Sequence, residues 1–192
     1  LSIKEVFGSG GTLRLAPDTD FDDATGDVVR IMVGTTFGAP LFYHAGPEPA
    51  GWYYDYSLVG DGSAVTLYPD QAVMVVRDGT ATDLHVAGVL QSYALSHYLA
   101  AGANPLNTGF AAAAPIGTSG LKEAGFMDTD FDDSTEDTVR LLVGTTFGVP
   151  LFYHKGSEPE GWYADYSLDP TYPLDPGAGL IIFADAPLVW RQ

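Results

Sequence analysis

The sequence has no cysteine, eight basic residues and no apolar run approaching the ~18 residues that a membrane-spanning helix requires. Without cysteine there are no disulfides, no thiolate catalysis and no Cys-ligated zinc. Eight Lys and Arg against 25 Asp and Glu leave a formal charge of −17, so nucleic-acid phosphate and anionic lipid surfaces make poor partners. Catalytic signatures are also missing: there is no G-x-S-x-G, no Walker loop and no H-E-x-x-H. Gly8-Ser9-Gly10-Gly11 is glycine-rich, but no lysine follows it and it is expected to open no helix, so it does not suit a phosphate cradle. No catalytic residue is expected. The chain opens at Leu1 with no basic or apolar leader. We therefore expect either an exported protein whose leader is removed, placing it outside the cell or at its surface, or a start internal to a longer chain.

What the chain does contain is a stretch that occurs twice. Residues 21–58 and 131–168 align without a gap at an offset of 110, and 28 of 38 positions are identical. Within each copy, short β-branched or aromatic runs alternate with Gly- and Pro-rich turns. These runs are Asp27 to Val33, Pro40 to His44, Trp52 to Tyr56 and Ala72 to Arg77. Thr12 to Ala16 and Ala64 to Leu67 read as further strands, and Asp78-Gly79 as a hairpin turn. Val86 to Leu90 looks like a strand, Ser92 to Ala101 like a short helix or a strand, and Ala103 to Asn107 like a loop. Gly179 to Phe183 matches Val73 to Arg77. The pattern predicts an all-β protein of two tandem β-sandwich domains, jelly-roll or Greek-key-like, related by internal duplication. The expected domains are 1–85 and 86–192, the second including the segment 86–119.

That segment has no counterpart before the first copy. If it supplies strands to the second domain, the first has an open sheet edge, which invites strand pairing with a neighbour. Two alternatives are that the polypeptide simply starts at Leu1, or that Gly11 to Ala16 fills the gap internally.

Each copy is introduced by an acidic loop, and eleven of the 25 acidic residues lie in the two. The first holds Asp18, Asp20, Asp22, Asp23 and Asp27; the second holds Asp128, Asp130, Asp132, Asp133, Glu136 and Asp137. Crowded carboxylates repel unless they are solvated or share a cation, and calcium takes six to eight oxygens from such loops. The D-x-D-x-D opening resembles half an EF-hand, but Phe21 and Phe131 stand at its fourth position and the glycine and final glutamate are missing. All eleven residues are candidate calcium ligands. A solvated acidic turn whose aspartates cap backbone amides is the competing reading.

His44, Glu48 and Asp55 recur as His154, Glu158 and Asp165, and a hairpin that pairs His with Asp locally is expected. Trp52, Tyr53, Tyr54 and Tyr56, with Trp162, Tyr163 and Tyr166, would suit sugar stacking, but alternation along a strand favours the core for every second ring.

Ala101 to Leu106, Thr118 to Leu121, Asp137-Thr138-Val139, Gly161-Trp162-Tyr163 and Asp175 to Leu180 follow in that order. This order resembles poorly characterised secreted β-rich modules of bacterial cell-surface proteins. The resemblance implies export and a non-catalytic role, and transfers no functional residue. The resulting expectation is a non-enzymatic extracellular structural protein, a self-assembling filament or surface-array subunit stabilised by calcium. Its partners would be copies of itself, joined by strand complementation. The alternative is a calcium-dependent carbohydrate-binding or adhesion module with glycans as partners. Neither nucleic-acid binding nor membrane insertion is expected.

Overall fold

Short alternating runs broken by turns give strands, and the computed structural model of the chain is all-β with one short helix. It describes residues 1–21, 25–56, 61–68, 71–78, 95–110, 112–131 and 136–192. No helix among the described residues is long and apolar enough to cross a membrane. The chain divides into two units, Leu1–Val89 and Leu90–Gln192. The boundary expected between residues 85 and 86 lies outside the described residues, as do the strand expected at 86–90 and the second residue of the Asp78-Gly79 turn.

The first unit begins with helix α1 (Ile3–Phe7). Ser2 and Glu5 form its capping box, each side chain meeting the other residue's backbone N–H, so a single turn is held at its start. The strands are β1 (Val28–Val33), β2 (Thr36–Phe37), β3 (Leu41–His44), β4 (Gly51–Tyr54) and β5 (Val73–Val76). They pair antiparallel, with β1 between β3 and β5 and with β4 beyond β3. Strand alternation sends neighbouring side chains to opposite faces. Val29, Leu41, Tyr43 and Trp52 thus bury against Ile3, Phe7 and Leu15 on one face. Val28, Phe42 and Tyr53 meet Phe21 and Tyr56 on the other.

The second unit contains β6 (Ser96–Leu99), β7 (Gly102–Asn107), β8 (Ala114–Pro115), β9 (Thr138–Val143), β10 (Thr146–His154), β11 (Gly161–Ala164), β12 (Ser167–Leu168), β13 (Pro173–Leu174), β14 (Gly179–Ala184) and β15 (Leu188–Arg191). Its main sheet runs β12-β11-β10-β9-β14-β7. Two small pairs, β8 with β13 and β6 with β15, complete the strands. The β10–β11 register repeats that of β3–β4 at the offset of 110: Leu151 faces Ala164 as Leu41 faces Tyr54. A register shift between Phe147 and Pro150 bends β10, and the first unit breaks at the same place into β2 and β3. Trp190, Leu121, Phe126, Trp162 and Leu180 anchor the core.

Several expectations are corrected. Thr12 to Ala16 is not a strand; a 3-10 turn over Gly10–Thr12 leads into it, and Leu15 buries in the core from a segment with no ladder partner. Ala64 to Leu67 is not a strand either; it follows a 3-10 turn, Gly62–Ala64, and contributes a lone bridge, Thr66 to Ser2. Ala103 to Asn107, expected as a loop, lies in β7, which pairs along the whole of β14. Proline is tolerated there because β7 is an edge strand. The ambiguous Ser92 to Ala101 contains strand β6. Counterparts in β5 and β14 stand one residue from the alignment expected: Val28 faces Val76 and Thr138 faces Phe183, so Val73 corresponds to Leu180, not Gly179. The aromatic run from Trp52 to Tyr56 stops being strand at Tyr54, because Asp55 and Tyr56 are both left-handed at φ 56° and 53°. Asp165 and Tyr166 repeat this at 46° and 62° as the two-residue turn between β11 and β12.

Candidate functional site

Each acidic loop starts from one aspartate stitched to the end of a strand. Asp18 N–H donates to Tyr43 O and Asp18 O accepts from Ala45 N–H, both at 2.8 Å; Asp128 repeats this with Tyr153 and Lys155. These bonds lay the aspartate beside a histidine as an isolated parallel bridge, Asp18 with His44 and Asp128 with His154. The side chains then meet: Oδ2 to Nδ1 is 2.5 Å in the first unit and 2.7 Å in the second, and all four residues are buried. The same Oδ2 accepts the backbone N–H of Phe21 or Phe131, at 2.9 and 3.0 Å. This turns the loop and leaves each phenylalanine left-handed, at φ 64° and 62°. The strain is held by packing: Phe21 meets His44, Phe42 and Tyr53 edge-on, and Phe131 meets His154, Phe152 and Tyr163 likewise. The phenylalanine that spoils the EF-hand match is the plug that seats the loop.

A glycine closes the arrangement. A Cβ at Gly46 would lie 2.2 Å from Thr19 O and 2.6 Å from His44 Cε1; at Gly156 both distances, to Thr129 O and His154 Cε1, would be 2.6 Å. Only glycine allows the backbone so near the ring.

Beyond this shared frame the loops differ. In the first, Thr25 Oγ1 donates to Asp18 Oδ1 at 3.2 Å and also contacts Asp20 Oδ1. In the second, Glu136 occupies the position of Gly26. Its carboxylate accepts from Thr129 Oγ1 at 2.6 Å and from Thr129 N–H. One oxygen each of Asp128, Asp130 and Glu136 then lie within 4.8 Å of one another. This is the only such group of acidic or histidine side chains among the described residues. Asp128 Oδ1 is buried and has no hydrogen-bond partner among the described residues, and the same is true of His154 Nε2. Burial pushes the Asp128 carboxyl above the usual carboxylate range and the neighbouring Asp130 adds to this, while the bonds from His154 and Phe131 N–H oppose it.

Of the eleven candidate ligands, Asp128, Asp130 and Glu136 are brought together, and Asp18 and Asp20 meet through Thr25. Asp22, Asp23, Asp132 and Asp133 lie outside the described residues. Asp27 and Asp137 stand apart from the clusters, with both oxygens engaged by backbone. Asp27 accepts from Ala16 N–H at 2.8 Å and Asp78 N–H at 3.0 Å, and pairs with Arg77 at 2.6 Å. Asp137 accepts from Met127 N–H at 2.9 Å and Asp185 N–H at 2.7 Å. Each staples the entry of its loop to the chain within two residues of the end of β5 or β14, and burial pushes Asp137 up.

The histidines do not pair with Asp55 and Asp165 as the hairpin reading expected; their partners are the loop aspartates 26 residues upstream. Gly46 N–H donates to His44 Nε2 at 3.0 Å, which puts the ring proton on Nδ1, facing Asp18. Glu48 Oε2 also lies 3.0 Å from Nε2. Trp52 and Trp162 are buried, and Tyr53 and Tyr163 donate to Pro49 O and Pro159 O at 2.7 and 2.8 Å. These four rings are core, whereas Tyr54 and Tyr166 of the same candidate set are exposed.

Thr25 and Thr129 were not singled out from the sequence, although the exchange of Gly26 for Glu136 was visible there as one of ten differences between the copies. No protein-family model, curated protein or solved structure matches the chain.

Proposed function

We propose that the protein is a non-enzymatic structural module of the cell exterior, built of two tandem β-sandwich domains that arose by duplication. Its copies join through strand complementation, and its acidic loops take calcium. One observation carries the assembly. In the second unit β14 lies between β9 and β7, whereas its counterpart β5 pairs only with β1 among the described residues. Val73, Val75 and Val76 make β5 an apolar strand, and such an edge is a template for another chain. Head-to-tail addition that does not close into a ring gives a filament or array. The net charge of −17 agrees with a cation-rich outside, and the resemblance to secreted surface modules points the same way.

The calcium reading rests on the second loop. Asp128, Asp130 and Glu136 would hold the ion, which supplies charge neutralisation to a crowded carboxylate set. His154 and Phe131 N–H orient Asp128, while Thr129 orients Glu136. The burial of Trp52 and Trp162 speaks against a sugar-binding module that works through those rings.

Electron microscopy and sedimentation of the purified chain, with calcium and with a chelator, test this. Ordered oligomers that Val76→Lys on the β5 edge abolishes without unfolding the chain are expected. A chain that stays monomeric at high concentration with calcium overturns the assembly.

A further inference from the structure

We infer that the chain holds one calcium-class cation, in the second loop only, and that the first loop is closed by a hydroxyl instead of a metal. This rests on the reading of the acidic loops as cation sites and narrows it to one location and one stoichiometry.

Two independent observations meet in the second loop. The oxygens of Asp128, Asp130 and Glu136 converge within 4.8 Å, a spacing that costs repulsion while all three are ionised. Separately, Asp128 is 1% exposed, and its Oδ1 has no hydrogen-bond partner among the described residues although Oδ2 is fully engaged. A buried carboxylate oxygen left bare is costly, and a cation is the partner that would satisfy it and relieve the crowding together. Both ends of the site are held in advance: Asp128 by His154 and Phe131 N–H, Glu136 by Thr129. The donors are all hard oxygens, which selects calcium-like ions over metals that favour nitrogen or sulfur. Magnesium is disfavoured because it keeps most of its waters and tolerates few crowded carboxylates.

The first loop starts from the same Asp–His tie but answers the same need internally. Asp18 Oδ1, the counterpart of the bare oxygen, accepts from Thr25 Oγ1, which also reaches Asp20; the second copy keeps this threonine as Thr135, outside the described residues, so the contrast rests on Gly26 against Glu136. The third carboxylate is replaced by Gly26, where a Cβ would stand 2.6 Å from Asp18 N. No side chain fits there without moving backbone, so this loop is committed to its own closure.

Calorimetric titration of the whole chain with calcium chloride, with terbium luminescence as a second readout, tests the inference. One ion per chain is expected. Glu136→Gln and, separately, Asp130→Asn should each weaken binding by about tenfold or more, because affinity in such loops follows ligand charge. Asp20→Asn should leave stoichiometry and affinity unchanged, and far-ultraviolet circular dichroism checks that each variant is folded. Two ions per chain, or a single ion that survives both second-loop variants and is lost with Asp20→Asn, overturn the inference while leaving the loops as cation sites. A wild-type chain that binds no calcium overturns the inference and the reading beneath it together.

Discussion

In the first acidic loop a threonine hydroxyl bridges Asp18 and Asp20; in the second a glutamate completes a cluster with Asp128 and Asp130. Around these differing centres the seating is held in common: the Asp–His bond, the left-handed phenylalanine, the glycine against the ring and the aspartate staple to the end of β5 or β14. The lesson is that shared positions seat the loop, while the single exchange of Gly26 for Glu136 gives the second loop its third carboxylate. The same division appears beside the loops. Tyr153 donates to Glu160 at 2.5 Å and lies under Lys122, with Nζ 4.6 Å from the ring centre. The first unit has Ala50 where the second has Glu160.

The comparison is broken most severely at the shared tie. His44→Ala or His154→Ala leaves a buried aspartate without its hydrogen-bond partner, a loss of about 1–3 kcal/mol in whichever unit carries it. Denaturant unfolding followed by tryptophan fluorescence should show equal damage in either unit, since the tie is common to both. Next come Gly46→Ala and Gly156→Ala, which force a methyl group against a carbonyl oxygen and a ring; about 1–3 kcal/mol is expected for each. The first should be the worse, because its gap to the carbonyl is 2.2 Å against 2.6 Å. Chelation should sharpen the contrast instead of breaking it. At calcium near 100 times its dissociation constant, the second unit should gain about 2.7 kcal/mol over the chelated chain, with the first unit unmoved. Two resolved calorimetric transitions, only one calcium-sensitive, would show this. The smallest effect concerns Tyr153, whose phenol is pushed above the usual tyrosine range by burial and by Glu160, against the pull of Lys122. Its bond to a carboxylate favours the neutral phenol, so Glu160→Gln should bring the titration to lower pH in a spectrophotometric measurement, while Lys122→Met should move it further up.

Much of the fold was legible because repeated turn residues bracket β-branched runs, and strands need little more than that to be found. Pro105 misled, since local propensity opposes a strand that six paired positions along β14 impose. Thr12 to Ala16 misled in the other direction: Leu13 and Leu15 alternate as a strand would, but the segment's backbone bonds go singly to Gly10, Phe7 and Asp27 instead of along a ladder. At the loops, composition flagged the acidic residues as a group and could not sort them. Asp27 and Asp137 differ from Asp128 only in what approaches them, namely backbone amides from residues 48 and 51 positions away. The tie between Asp18 and His44 spans 26 residues, which no local pattern encodes, whereas His44 and Asp55 stood close enough in sequence to suggest a pairing that the turn geometry refuses.

Pro105 has one more consequence. The six-stranded sheet ends on β7 at one side and on β12 at the other. Position 105 has no amide hydrogen to offer an incoming strand, and β12 is two residues long. Both borders of that sheet are therefore blunt. An incoming strand would meet no amide hydrogen at position 105 on one border and only two residues on the other, which disfavours edge-to-edge aggregation through that sheet.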